Sequence, residues 1–187
     1  GNKNLQPEKT NQVSWSNSYE FSFNDFTVIP TIDLYYNDVK DKIVAIPQNN
    51  VFLWSMLNYG KVKIEGVDFK LYINTFLFNK INIDLKLNYS YQKVVDDEKN
   101  SLTYKEILPY MPKNVFSSIL TVDYKNITFG YTAFFVDKRY ALSENIESNK
   151  LSAYSEHNIN LSYKLEMNNT KYISNVNFMI RLNNIFN

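Results

Sequence analysis

Between Ile81 and Gln92 the chain alternates without a break. Ile81, Ile83, Leu85, Leu87, Tyr89 and Tyr91 share one parity, and Asn82, Asp84, Lys86, Asn88, Ser90 and Gln92 share the other. Successive side chains of a β-strand point to opposite faces, so the spacing predicts one long two-faced strand. A helix would spread these apolar residues around its whole circumference. Strands of soluble sheets usually end near about six residues, whereas a tilted strand crossing a bilayer needs about 9–11. The apolar face also ends in two tyrosines, as at a membrane–water interface. Taken alone, the stretch fits either a membrane-spanning barrel strand or an amphipathic strand of a soluble sandwich.

The same period recurs along the chain. Residues 1–8 have loop chemistry. Alternation begins at Gln12 and Val13 and runs to Phe23, with Val13, Trp15, Tyr19, Phe21 and Phe23 on one face. Asn24 and Asp25 signal a tight turn. The next strand sets Phe26, Val28, Pro30, Ile32, Leu34 and Tyr36 on one face and extends raggedly to Ile46. Pro30 removes one ladder hydrogen bond. After a loop at residues 47–50 comes a strand whose apolar parity switches at Gly66, from Val62 and Ile64 to Val67, Phe69, Leu71 and Ile73. A β-bulge at Gly66 is expected to restore a constant face. Phe78 to Lys80 turns into the Ile81 strand. Further strands carry Phe116, Leu120, Val122 and Tyr124; Ile127, Phe129, Tyr131, Ala133 and Phe135; Ile159, Leu161, Tyr163 and Leu165; and Val176, Phe178, Ile180 and Leu182.

Connection lengths decide between the two readings. Short turns fall near residues 24–25, 78–80, 125–126 and 167–171, and longer segments near 47–52, 96–112 and 141–151. The two classes alternate, as in an outer-membrane barrel with short periplasmic turns and long extracellular loops. The expected fold is therefore all-β, part of an antiparallel up-and-down transmembrane β-barrel. Composition agrees. Aromatics make up 16% of the 187 residues, and Gly (4) and Pro (5) are few. Without cysteine there is neither a disulfide framework nor a Cys-based zinc site. A formal charge of +1 offers no basic field for nucleic acid. A mean hydropathy of -0.36 suits a strand that is only half apolar. No apolar run is long enough for a transmembrane helix, and the first residues have no signal-peptide character.

Several stretches, in order, resemble the C-terminal barrel portion of TonB-dependent outer-membrane receptors. Gly1-Asn2-Lys3-Asn4-Leu5-Gln6-Pro7-Glu8 is similar to the family's GNPNLKPE segment, departing at Lys3 and Gln6. Tyr35 to Ile43 resembles its Y-x-N-x-I-x-D-x-I strand. Asn58 to Asp68 resembles an N-x-G…GVE segment. Lys138, Arg139 and Tyr140, followed by Leu151 to Tyr154, resemble G-x-RY…LPAY without its Gly and Pro. Arg181 to Asn187 resembles the V-x-NLFN motif of the penultimate strand. The resemblance implies about eight strands of a 22-stranded barrel, here without the plug, the TonB box and the last strand. It implies energised uptake of a ferric siderophore, haem, cobalamin or a similar scarce nutrient. The implied partners are outer-membrane lipid, the TonB complex through the plug, and the small-molecule ligand; the implied location is the outer membrane. A small structural or adhesive barrel and a soluble binding module are the alternatives.

No catalytic set is present, so an enzyme is not expected, nor is a cofactor. His157 is the one histidine and shares parity with Ile159 and Leu161, facing outward rather than holding haem. Asp96, Asp97 and Glu98 lack EF-hand spacing and read as loop acid rather than a metal site. Asp84, Lys86 and Asp123 are expected on the lumen wall. Trp54, Tyr104 and Tyr110 fall in or near extracellular loops and are the candidate ligand contacts, with loop packing or an aromatic girdle as their structural alternative. The segment from Asp96 to Pro112 is too apolar for a solvated loop, with Leu102, Tyr104, Ile107, Leu108, Tyr110 and Met111. It is expected to fold over the barrel mouth.

Overall fold

Alternation at period two dictates strands, and strands dominate. The computed structural model describes residues 2–47, 54–167 and 174–186. Its strands are β1 (Lys9–Ser18), β2 (Phe21–Phe23), β3 (Phe26–Lys40), β4 (Ile43–Pro47), β5 (Trp54–Asn58), β6 (Val62–Leu77), β7 (Ile81–Asp96), β8 (Asn114–Tyr124), β9 (Ile127–Val136), β10 (Arg139–Tyr140), β11 (Lys150–Leu151), β12 (Tyr154–Glu166) and β13 (Asn175–Leu182). The long strands form one antiparallel sheet in the order β1-β3-β6-β7-β8-β9-β12-β13, with β2 beside β3. Each long strand therefore lies next to its predecessor in the chain, the up-and-down order. β4–β5 and β10–β11 are separate small hairpins.

The break between β1 and β2 has a local cause. Ser18 pairs with Thr31 and Phe21 with Val28, so both pieces keep one register against β3. Between them Tyr19 donates its amide to the Pro30 carbonyl (3.2 Å). Pro30 has no N–H to return, and the ladder lapses there.

No bulge occurs at Gly66. Tyr35 faces Gly66 and Leu34 faces Val67 in an unbroken register with β3, and the register with β7 is equally continuous. Parity holds, and it is the environment that changes. Val62 and Ile64 stay on the polar side of the wall but lie beyond the apolar band. There the long loops cover that side and bury Val62 with Val39, Val94 and Leu108. Gly66 serves a different end: a Cβ there would lie 2.4 Å from the Tyr35 ring and 2.7 Å from the Tyr91 carbonyl. The third strand also ends sooner than its pattern suggests, at Lys40. Asp41 takes a left-handed conformation (φ 56°) and the chain turns into the β4–β5 hairpin.

The two faces differ in chemistry. On the polar face Asp84 accepts from the Tyr72 hydroxyl (2.6 Å) and from the Asn74 and Asn82 amides (3.1 and 2.8 Å). Ser90 donates to Asp68 (2.6 Å), Lys70 pairs with Asp33 (3.0 Å), and Thr128 donates to Asp123. Lys86 lies over the Tyr72 ring. The opposite face is apolar and, among the described residues, no protein layer covers it: Trp15 is 53% exposed, Phe178 57% and Ile180 65%. A soluble sandwich would bury such a face against a second sheet. A barrel wall turns it to lipid and its polar face to the lumen. Among the described residues β1 and β13 do not pair, so the sheet stays open rather than closing as a small barrel.

The two ends differ as well. At one end connections are tight, with Asn24, Phe78, Asn79 and Lys125 in left-handed conformations. The expected turn at 167–171 and loop at 47–52 lie largely outside the described residues. At the other end the connections are long: 41–61 includes β4 and β5, and 137–153 holds β10–β11 with a short 3-10 turn at Glu147–Asn149.

Candidate functional site

The long connections gather into one cluster at the far end of the sheet, on its polar side. The segment after β7 begins it. Its amides return along the strand end: Lys105 donates to the Asp96 carbonyl (2.8 Å), Asp96 to that of Glu106 (3.0 Å) and Leu108 to that of Val94 (3.0 Å). Val95 and Ile107 form a β-bridge. This folding delivers Leu108, 1% exposed, onto Val39, Val62 and Val94, with Val44, Tyr59, Ile64 and Met111 around them.

A buried carboxylate holds the turn. Asp96 is fully buried. It accepts from the Glu98 amide (2.9 Å) and the Thr103 hydroxyl (2.9 Å). A carboxylate can only accept, so Thr103 donates its one proton there, and Tyr59 must then donate to Thr103 (2.8 Å). Asp97 lies outside this network, between Lys105 and Lys61 (3.4 Å), and Lys61 also reaches Asp38 (3.2 Å). The Lys105 hydrogen bond, seconded by Lys61, outweighs partial burial and holds the Asp97 carboxyl below the usual carboxylate range. The Asp96 and Asp97 carboxylates are thus engaged by hydroxyl, amide and ammonium groups.

A second joint ties this segment to 137–153. The Asn145 side chain accepts from the Ile107 amide (2.7 Å) and donates to its carbonyl (3.0 Å). Tyr110 donates its amide to the Tyr140 carbonyl (2.8 Å). Between the two segments is a cavity of about 70 Å³, lined by Ile107, Met111 and Tyr140 together with Lys113, Asp137, Lys138 and Arg139. Arg139 lies over the Tyr154 ring (5.3 Å), and its buried Nη1 finds no hydrogen-bond partner among the described residues.

The three candidate contacts occupy different parts of this rim. Tyr104 sits on the turn above Asp96, 40% exposed, with the Lys105 ammonium 4.7 Å from its ring centre. Beside it Leu102 is wholly exposed. Tyr110 is half-buried at the joint with 137–153, in a left-handed conformation (φ 59°). Trp54 heads β5 opposite Pro47, and its side chain lies outside the described residues. His157 is taken up by structure: the Tyr131 hydroxyl is 2.7 Å from its Nδ1, and Phe186 packs edge-on. Arg139, Lys113 and Asn145 were not legible as site residues, because no periodicity in a loop reveals which segments meet.

The sequence matches the family described as "TonB dependent receptor-like, beta-barrel" over residues 1–187. The chain belongs to this family. As a TonB-dependent receptor barrel it is an outer-membrane protein, and the open sheet is a portion of its wall. Two solved structures share the fold. The copper transporter OprC is 19% identical with a TM-score of 0.61, the match covering 98% of this chain and 26% of that one. The FrpB iron transporter from Neisseria meningitidis (F3-3 variant) is 15% identical with a TM-score of 0.52, covering 98% and 28%. The chain thus spans about a quarter of each of these proteins. No curated protein matches the sequence.

Proposed function

We propose that this chain is the C-terminal barrel part of a receptor that imports a scarce nutrient across the outer membrane, with a plug coupling it to the TonB complex. The substrate class is a ferric siderophore, haem, cobalamin or a comparable metal-bearing compound. The main support is the loop cluster: the segment from 97 to 113 is pinned over the polar face by Leu108, Asp96 and Asn145, while Leu102 and Tyr104 stay exposed. A loop kept only for packing would bury such residues. Loops of this length are commonly functional or disordered, and this one is ordered. Tyr104 offers an aromatic face, and Tyr110 and the Arg139 cavity lie on the same rim, so the ligand is captured between 97–113 and 137–153.

The test uses full-length receptor in cells, with radiolabelled ferric siderophores, haem and cobalamin as the panel. One of them should enter only when TonB is present. Replacing Leu102 with Ser and Tyr104 with Ala together should weaken its capture about tenfold, since each removed apolar anchor contributes on the order of 1 kcal/mol or more, while outer-membrane assembly stays normal. Uptake that is indifferent to TonB would refute transport. Unchanged capture in the double variant would refute the role of the loop.

A further inference from the structure

The small cavity between 97–113 and 137–153 contains a cation whose hydrogen bonding is incomplete. A guanidinium stays protonated throughout the range in which proteins fold. That of Arg139 lies 5.3 Å from the centre of the Tyr154 ring, at the start of β12, which ties it to the barrel wall. Its Nη1 is buried, and among the described residues no acceptor reaches it. A buried charged donor left unmet is costly, so the site is built for a further acceptor.

Charge indicates which acceptor. The cavity is also lined by Lys113 from the first segment and Lys138 from the second, and the acid among its lining residues is Asp137. Both oxygens of Asp137 are engaged: Oδ2 accepts from the Asn114 side-chain amide (2.6 Å) and Oδ1 from the Lys138 backbone amide (2.8 Å). Among the described residues none of the three cations has a carboxylate within ion-pair distance. Three cations around one engaged carboxylate leave an excess of positive charge. A water satisfies a donor but leaves that excess in place, whereas an anion removes part of it.

Size limits the anion. The cavity holds about 70 Å³. A single water needs about 10–15 Å³ of such space, so a monatomic anion with a companion water has room. Pockets that enclose a whole organic ligand run to about 300–1,000 Å³. Ile107 and Met111 make part of the wall apolar, and against it a doubly charged ion loses far more hydration than a singly charged one.

We propose that this cavity binds a chloride-sized monovalent anion, held by the Arg139 Nη1–H with Lys113 and Lys138 around it, and that the anion clamps 97–113 to 137–153. Without it Lys113 repels Lys138 and Arg139 across the gap between the segments. With it one negative charge serves both sides and keeps the bond from the Tyr110 amide to the Tyr140 carbonyl closed. The clamp goes beyond the transport reading, since it acts on the receptor without any imported compound.

The experiment is amide hydrogen exchange on full-length receptor in detergent, in sodium chloride or in sodium gluconate at equal ionic strength. Gluconate is too large for the cavity. The Tyr110 amide crosses the joint, whereas the Leu108 amide bonds to Val94 on its own side of it (3.0 Å). Binding lowers the opening equilibrium by the factor 1 + [L]/Kd, so chloride at about ten times its Kd should slow exchange at Tyr110 about tenfold and leave Leu108 unchanged. Arg139→Gln should erase the chloride effect. Lys113→Gln with Lys138→Gln should move it to higher chloride, and this pair decides alone if the Arg139 variant assembles poorly. Equal exchange at Tyr110 in the two salts overturns the proposal, in favour of a water or a fixed protein acceptor on Arg139. A chloride effect undiminished in either variant overturns it too, as does one that slows Leu108 equally and so marks a general effect of the salt.

Discussion

Gly66 lies where two strands leave no room for a side chain. Its missing Cβ is replaced by the ring of Tyr35, the cross-strand neighbour, which lies against the glycine backbone. Gly66→Ala forces that ring away and presses on the Tyr91 carbonyl, an overpacking cost of about 1–3 kcal/mol. The variant should assemble less well or unfold at lower denaturant. Adding Tyr35→Ala should recover only part of the loss, because the carbonyl stays. Full recovery would show that the ring alone sets the constraint. At the rim the relevant residue is Asp97. Its carboxyl is held below the usual range by Lys105 and then Lys61. A depressed pKa contributes stability that is complete above the ordinary carboxylate value and lost as pH falls through the depressed one. A spin label at the exposed Lys99 should therefore keep its mobility from neutral pH down to about 4 and loosen only below. Loosening centred near neutrality would refute the assignment. None of these roles was legible from spacing. The parity switch at Gly66 suggested a bulge, because the sequence does not reveal that a loop returning from residue 108 makes the lumen side apolar there.

Strands were the most legible level, for a physical reason. Lipid on one side and a polar wall on the other impose strict alternation, and β7 obeys it from Ile81 to Gln92. Where that constraint ends, legibility ends with it. β3 stops at Lys40 although apolar residues continue to Ile46, since those serve the β4–β5 hairpin. Likewise β11 was hidden inside the segment 141–151 that read as loop, and its partner β10 lies just before that segment. Alternation also makes a sharp comparison possible within one strand. Leu85 and Asn88 lie three residues apart on opposite faces of β7. Leu85→Arg places a charge toward the bilayer and should cost about 2–4 kcal/mol of folding stability, whereas lumen positions accept polar change. Denaturant titrations of the two variants in lipid vesicles measure this, and equal losses for Leu85→Arg and Asn88→Arg would falsify the orientation.

For the molecule as a whole, the open sheet is decisive. β1 and β13 each offer one unpaired edge among the described residues, and backbone groups cannot remain unpaired in lipid. Residues 1–187 expressed by themselves should oligomerise through these edges or aggregate. A monodisperse monomer without detergent, unfolding sharply, would contradict the barrel-wall assignment. The loop cluster shows how far a pattern reaches at this scale. Segregated connection lengths were visible in the sequence and located the rim correctly. The partners that assemble it, such as Asn145 with Ile107 or Thr103 with Asp96, come from contacts no local pattern encodes.

The unequal connections have a further consequence, for the order in which the wall is built. Closing a loop costs conformational entropy that grows by about 0.6 kcal/mol for each doubling of length. The connection from 97 to 113 is longer than the turn at Lys125 and Asn126 by about three doublings, so its closure costs about 2 kcal/mol more. β2–β3, β6–β7 and β8–β9 should therefore zip first as independent hairpins from their tight ends. Joining them then waits on the long segments, and Leu108 docking onto Val39, Val62 and Val94 is the event that locks one finished hairpin to the next. On this view the rim is the last part to form, and it acts as the seam along which preassembled units are fastened.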